Sequence, residues 1–200
     1  MNEIVIEITD ENIDELHKNI KKIIKKNKKN SVVITYKNDK ITNDEYLKKH
    51  KVKNEKLVDL IEVVHAINLK DKFERYNYIY DTVCAKLDER IKTNYCEFKD
   101  NICVKYRKKG SLHENGCCEC KGRGRCKYLI NGICTMKTCM ACKLFTCHTL
   151  KKMGIHQSIN DFVLTRYFFD TKEKDILQFS YWTPKEIVMK RLILRKKNIN

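Results

Sequence analysis

The sequence contains no run of eighteen apolar residues, the length that a helix needs to cross a bilayer. Its first residues, MNEIVIEITDENIDELHKN, also lack the basic start, apolar core and small-residue cleavage site of a secretory signal. We therefore expect a chain that has no membrane partner and stays in the reducing cytoplasm. Persistent disulfides are rare in that compartment. The eleven cysteines consequently favour metal or redox chemistry over a disulfide framework.

Several catalytic signatures are missing as well. The spacing C-x3-C-x2-C of radical enzymes that use S-adenosylmethionine does not occur, so we do not predict radical chemistry. Cys147 and His148 are neighbours in the sequence, but no acidic residue stands out to orient the histidine as a base. No cofactor-binding loop is evident either. A metal-dependent modifying enzyme is therefore the third of the three functions that we consider.

Cysteine and glycine are instead concentrated in one part of the chain. All six glycines lie in or close beside a stretch of thirty-one residues that holds eight cysteines. A ligating cysteine needs a tight turn, and glycine reaches the positive φ angles that such turns often require. We predict metal ligation by the cysteines of this stretch, which are Cys117, Cys118, Cys120, Cys126, Cys134, Cys139, Cys142 and Cys147.

The cysteine spacing fits two kinds of metal centre. Two C-x2-C pairs, the second formed by Cys139 and Cys142, are separated by eighteen residues, as in a four-cysteine zinc site. The run C-x4-C-x2-C that begins at Cys134 matches the spacing of plant-type iron–sulfur proteins. Eight clustered thiols exceed one zinc site, so we place an iron–sulfur cluster ahead of zinc. Cys96 and Cys103 form an outer pair, either further ligands or packing residues.

The segment CKYLINGICTMKTCMACKLFTC, residues 126–147, carries a family resemblance. A cysteine, an aromatic-leucine pair, a glycine turn, a second cysteine and a later cysteine followed by an apolar pair occur in this order. With the adjacent Cys117-Cys118, this pattern resembles the zinc- or iron-chelating cysteine-cluster domain family, to which flagellin lysine methylase is related. The resemblance extends over residues 117–147. It implies metal binding and leaves the metal and the activity open.

The chain is strongly basic, with a formal net charge of +16. Such a charge suggests an anionic partner such as nucleic acid. However, abundant lysine also follows from AT-rich coding, and cations beside the cysteines would neutralise thiolates. A zinc-stabilised basic module that binds nucleic acid is therefore the alternative function. Its predicted contacts are Lys121, Arg123, Arg125 and Lys127.

Regular elements are predicted on both sides of the cysteine stretch. A strand at residues 3–8, a helix capped by Asp10 and a strand at residues 31–36 predict a small β-α-β unit. Helical periodicity predicts two further helices, one beginning at Glu55 and one over residues 72–92. The apolar positions of the second include Tyr80 and Cys84, and Cys84 is most simply a small buried hydrophobic residue. His65, on or beside the first of these helices, reads as a structural histidine rather than a metal ligand.

The last predicted helix begins at Thr183-Pro184, with the threonine as N-cap and the proline in the first turn. Together these elements predict an α+β, mainly helical fold whose helices surround an irregular cysteine-rich metal-binding centre. We divide the chain into a small α/β appendage at residues 1–54 and a helical cysteine-rich domain at residues 55–200. The leading function is a cytoplasmic iron–sulfur protein with a structural, redox-sensing or electron-transfer role and an unidentified protein or redox partner.

Overall fold

The computed structural model describes residues 3–27, 29–91, 95, 97–99, 102–103, 128–130, 133–134, 139–146 and 148–195. Their secondary structure confirms the predicted α+β, mainly helical fold class. No helix within these ranges is both long and apolar enough to span a membrane. The elements, in chain order, are β1 Glu3–Ile8, α1 Ile13–Lys18, α2 Ile20–Asn27, β2 Ser31–Tyr36, β3 Asp39–Ile41, α3 Glu45–His50, α4 Glu55–Asn68, α5 Lys72–Ile91, β4 Phe98–Lys99, β5 Ile102–Cys103, β6 Leu129–Ile130, β7 Ile133–Cys134, α6 Met140–Leu144, α7 His148–Lys152, α8 Val163–Phe168, α9 Thr171–Phe179 and α10 Lys185–Leu194.

The chain folds as two compact units. The first comprises Met1–Ile79 and Phe162–Asp170, and the second comprises Tyr80–Asp161 and Thr171–Asn200. The predicted boundary between residues 54 and 55 lies within the first unit.

The first unit contains the predicted β-α-β arrangement. Strands β1 and β2 are parallel, and β3 pairs antiparallel with β2 to give the sheet order β1-β2-β3. The predicted single helix is divided at Asn19 into α1 and α2. Asp10 does not cap it, because its carboxylate accepts a hydrogen bond from the hydroxyl of Tyr36 at 3.1 Å. The residue before α1 is Asn12, whose Oδ1 accepts from the backbone N–H of Thr9 at 2.8 Å.

Helix α4 forms the core of the first unit with the sheet. It contacts β2, α1, α2 and α8. Its N-cap, Asn54, accepts hydrogen bonds from the backbone N–H groups of Lys56 and Leu57. His65 of α4 is a structural histidine as predicted, since Nδ1 lies 2.8 Å from Asp44 Oδ1 and the ring stacks on Tyr78.

The second unit contains the cysteines whose side chains the structure describes. Its helices include α6, α9 and α10, and α9 contacts both of the others. Helix α10 begins one residue later than a Thr183 N-cap would place it, with Pro184 in the N-cap position. Two short antiparallel hairpins, β4–β5 and β6–β7, precede α6 in the chain.

Candidate metal centre

Cys139 and Cys142 lie at the start of α6. Cys139 has an extended backbone (φ −111°, ψ 99°) and precedes the helix, and its carbonyl accepts the first helical hydrogen bond from the N–H of Lys143 at 3.1 Å. Residues three apart on a helical turn share a face, so the C-x2-C spacing brings the two thiols together. Cys139 is 1% exposed, whereas Cys142 is half-buried.

The surroundings of Cys139 stabilise its thiolate. The side chain of Cys142 makes the largest contribution and lowers the pKa of Cys139. Burial opposes this effect, but the backbone N–H groups of Cys142, Thr183 and Trp182 add to the lowering. Hydrogen bonds to the charged form of an acid favour ionisation. The thiol of Cys139 therefore ionises more readily than an ordinary cysteine thiol, although it is buried.

A β-turn from Ser180 to Thr183 supplies donors from a distant part of the sequence. The turn connects α9 and α10, and the N–H of Thr183 donates to the carbonyl of Ser180 at 3.3 Å. The N–H of Trp182 donates to Sγ of Cys142 at 3.4 Å. The Ser180 carbonyl also lies 3.4 Å from Sγ of Cys139, where it accepts from the thiol form.

Tyr80 anchors the start of α6 from α5. Its side chain is buried, and its hydroxyl oxygen accepts a hydrogen bond from the N–H of Met140 at 2.8 Å. The first N–H groups of a helix have no carbonyl partner within the helix, so Tyr80 satisfies one of them. Burial is the main cause that raises the pKa of this phenol well above its usual value. The hydroxyl therefore stays neutral, and it fixes the segment that carries both thiols.

An ion pair between a buried lysine and an exposed aspartate follows the thiols along α6. The side chain of Lys143 is 1% exposed and pairs with Asp88 of α5, whose side chain is 50% exposed.

Cys84, one turn before Asp88, is also buried, and burial raises the pKa of its thiol to about 12. Cys84 therefore remains a neutral thiol, in agreement with its interpretation as a small hydrophobic residue.

Three aromatic rings come together from the end of α6 and from the turn Ser180–Thr183, whose Trp182 N–H donates to Cys142. Phe145 and Tyr181 meet edge to face with their centroids 6.5 Å apart, and Trp182 lies 5.7 Å from Tyr181. Phe145 is 40% exposed and Trp182 is 39% exposed. We call these three residues the aromatic cluster. It presents flat apolar faces to solvent beside a sulfur atom.

The two short hairpins have the same construction. Phe98 pairs with Cys103 in the first hairpin, and Leu129 pairs with Cys134 in the second. Two residues connect the strands in each case, and the returning strand has the sequence Ile-Cys in both. Cys103 and Cys134 therefore occupy equivalent backbone positions.

The structure places only some of the predicted site residues. It brings Cys139 and Cys142 together, and the backbone of Cys134 lies in β7. Within the described ranges, no group of three or more Cys, His, Asp or Glu side chains is arranged to hold a metal. The predicted site residues outside these ranges are Cys117, Cys118, Cys120, Cys126, Cys147, Lys121, Arg123, Arg125 and Lys127, together with Cys96 of the outer pair.

The pattern of cysteines did not predict the other parts of this site. Tyr80 was expected only as an apolar member of a helix face. Thr183, the last residue of the turn Ser180–Thr183, was predicted as a helix N-cap, and no role was predicted for the turn. Lys143 carries no local signal of burial, since lysine usually lies at the surface.

Comparisons with known proteins give no further information. No protein-family model, curated protein or solved structure matches the chain.

Proposed function

We propose that the chain binds a metal through cysteine thiolates, with Cys139 and Cys142 as two of the ligands. The observation that carries this proposal is the hydrogen bond from the backbone N–H of Trp182 to Sγ of Cys142 at 3.4 Å, beside a Cys139 thiol whose pKa is lowered. A neutral thiol is a weak acceptor, whereas a thiolate or metal-bound sulfur carries negative charge that such donors stabilise. Two thiolates at C-x2-C spacing fit either zinc or an iron–sulfur cluster.

The exposure of the two thiols favours metal ligation over thiol–disulfide exchange. An exchange enzyme needs its low-pKa cysteine at the surface, because the thiolate must attack another protein or a small disulfide. Here the cysteine with the lowered pKa is Cys139, which is 1% exposed. Cys142 is the more accessible of the two. A buried cysteine with a lowered pKa is better placed to bind a metal than to attack an external disulfide.

Further ligands would come from the cysteine-rich stretch and from the outer pair, and the hairpins favour one cysteine of each. Cys134 belongs to the predicted ligand set, and Cys103 has the equivalent position in a hairpin of the same construction. Short hairpins that end in cysteine are well suited to metal sites, because a tight turn brings backbone N–H groups close to sulfur. We therefore add Cys103 to the proposed ligands.

An iron–sulfur cluster in a cytoplasmic protein, with a structural, redox-sensing or electron-transfer role, is the first form of this proposal, and zinc is its alternative. Protein purified without oxygen is expected to be brown, to absorb near ~400 nm and to contain iron and acid-labile sulfide in matched amounts. The measurement combines a visible spectrum with iron, zinc and sulfide analysis. Colourless protein with stoichiometric zinc would replace the cluster by a structural zinc site. Protein without bound metal would refute the proposal.

A second candidate function is the binding of single-stranded nucleic acid, and the aromatic cluster favours it. Nucleic-acid bases stack on exposed aromatic rings, and a positively charged protein attracts the phosphate backbone. Phe145 and Trp182 offer exposed rings, and the net charge of the chain is +16. In this form, zinc would hold the aromatic cluster and the basic residues at 121–127 in place.

Phe145→Ala is expected to weaken binding of a single-stranded oligonucleotide about tenfold, because loss of one stacked base costs about 1–3 kcal/mol. The matched control is Phe73→Ala, which removes a phenylalanine that is 53% exposed and lies outside the aromatic cluster. Fluorescence anisotropy at several salt concentrations would measure both affinities. Equal affinities of the two variants, or binding that does not depend on salt, would exclude this function.

A further inference from the structure

The backbone of Trp182 has an uncommon conformation for its residue type. Its φ angle is +57°, in the left-handed region that bulky side chains rarely adopt. Of the four other non-glycine residues with a positive φ angle in the described part of the chain, Glu97 lies just before β4, and the remaining three have local explanations. Lys37 and Asn38 form the turn between β2 and β3, and Lys51 ends α3.

Trp182 occupies the third position of the β-turn Ser180–Thr183, which the Thr183-to-Ser180 hydrogen bond closes. Turns with a positive φ at this position normally have glycine or asparagine there. The indole does not compensate for the strain by burial, since Trp182 is 39% exposed. Some other interaction must therefore hold the turn in this form.

The interaction is found at the two sulfurs. The N–H of Trp182 donates to Sγ of Cys142 at 3.4 Å, and the carbonyl of Ser180 lies 3.4 Å from Sγ of Cys139. A backbone N–H that points at sulfur stabilises the negative charge of a metal-bound thiolate. A positive φ at the third position of the turn orients this N–H toward Cys142, which lies forty residues earlier in the chain.

We propose that the turn Ser180–Thr183 is the outer part of the metal centre and that the left-handed backbone of Trp182 is its positioning device. This inference rests on the proposed function, since it assigns the turn to the same metal. The amide of Trp182 stabilises negative charge on Cys142 when a metal is bound. The indole of Trp182 is not needed for this role, so residue 182 acts through its backbone.

Three substitutions at Trp182 separate the backbone from the side chain. Trp182→Gly removes the indole and adopts the left-handed conformation without strain. Trp182→Val also removes the indole, but its branched side chain opposes a positive φ. Trp182→Phe retains an aromatic ring and the strain of the native residue. The probe is Co2+ added to metal-free protein without oxygen, because its thiolate charge-transfer bands report both affinity and sulfur environment.

Trp182→Gly and Trp182→Phe are expected to bind Co2+ within about threefold of the native affinity. Trp182→Val is expected to bind about tenfold more weakly and to shift the charge-transfer bands, since loss of outer partners costs roughly 10–100-fold in metal affinity. Circular dichroism of each metal-free variant establishes that it is folded before the titration.

Three results would overturn the inference. Native affinity in Trp182→Val would show that the backbone conformation is unimportant. Weak binding by Trp182→Gly would show that the indole holds the metal site, and this result remains decisive if the valine variant does not fold. Failure of the native protein to bind Co2+ would remove the proposed metal function together with the inference.

Discussion

Cys139→Ala and Cys142→Ala are expected to abolish stoichiometric metal binding, whereas Cys84→Ala retains it. Each of the first two changes removes a proposed ligand, so the loss should exceed the roughly 10–100-fold in affinity that follows from changing an outer partner. Cys103→Ala and Cys134→Ala should also lower the metal content if the two hairpins contribute equivalent ligands. Metal per chain after anaerobic purification, and after competition with a chelator, gives the comparison.

Cys84 is the matched control for Cys139. Both thiols are buried in the second unit, so truncation to alanine removes the same atoms from a comparable environment. The two variants should lose similar packing energy in the metal-free state and differ in metal content alone. Full metal content in Cys139→Ala and Cys142→Ala would refute their assignment as ligands. Full metal content in Cys103→Ala, together with loss of metal in Cys134→Ala, would refute only the proposal that the two hairpins contribute equivalent ligands.

Asp88→Ala is expected to destabilise the protein by about 2–3 kcal/mol. The side chain of Lys143 is 1% exposed, and the substitution removes the carboxylate that faces its ammonium. Removal of one member of a fully buried ion pair costs about 3–5 kcal/mol. The expected value is lower here because Asp88 is 50% exposed and solvent screens part of the interaction. Urea unfolding followed by circular dichroism measures the change in free energy.

Lys143→Met combined with Asp88→Ala tests the cause of that destabilisation. Methionine fills a similar volume without a charge, so the double variant should recover most of the stability that Asp88→Ala loses. Asp81→Ala is a useful comparison, because Asp81 pairs with Lys185 from a more exposed position, with its own side chain 65% exposed. That change is expected to cost less than about 1 kcal/mol. Equal losses for Asp81→Ala and Asp88→Ala would show that burial of Lys143 does not strengthen its ion pair.

Local patterns in the sequence predicted much of the first unit. Alternating apolar residues predicted β1, the segment SVVITY predicted β2, and helical spacing predicted α4 and α5, because such local patterns reflect the conformation and burial of one element. The strand β3 was not predicted, since three residues with a turn before them carry little periodic signal. Asp10 was predicted as a helix cap but binds Tyr36, a partner twenty-six residues away.

At the candidate site, the sequence by itself determined the pairing of Cys139 with Cys142. Three-residue spacing on a helical turn is a local property, and it needs no other part of the chain. The sequence also identified Cys84 as a buried thiol through its place on the apolar face of α5. The remaining cysteine ligands, the resemblance to a metal-chelating family and the choice of metal stay predictions.

Only the tertiary structure decided which groups surround these two thiols. Tyr80, Lys143 and the turn at Ser180–Thr183 reach their positions through the folding of the second unit, in which α5 and the α9–α10 connection provide groups next to α6. Thr183-Pro184 was read as the start of a helix, because a local pattern cannot reveal that the preceding amide donates to a sulfur atom forty residues away. The positions of Tyr80, Lys143 and the turn depend on packing between segments that are distant in the sequence, which no short pattern encodes.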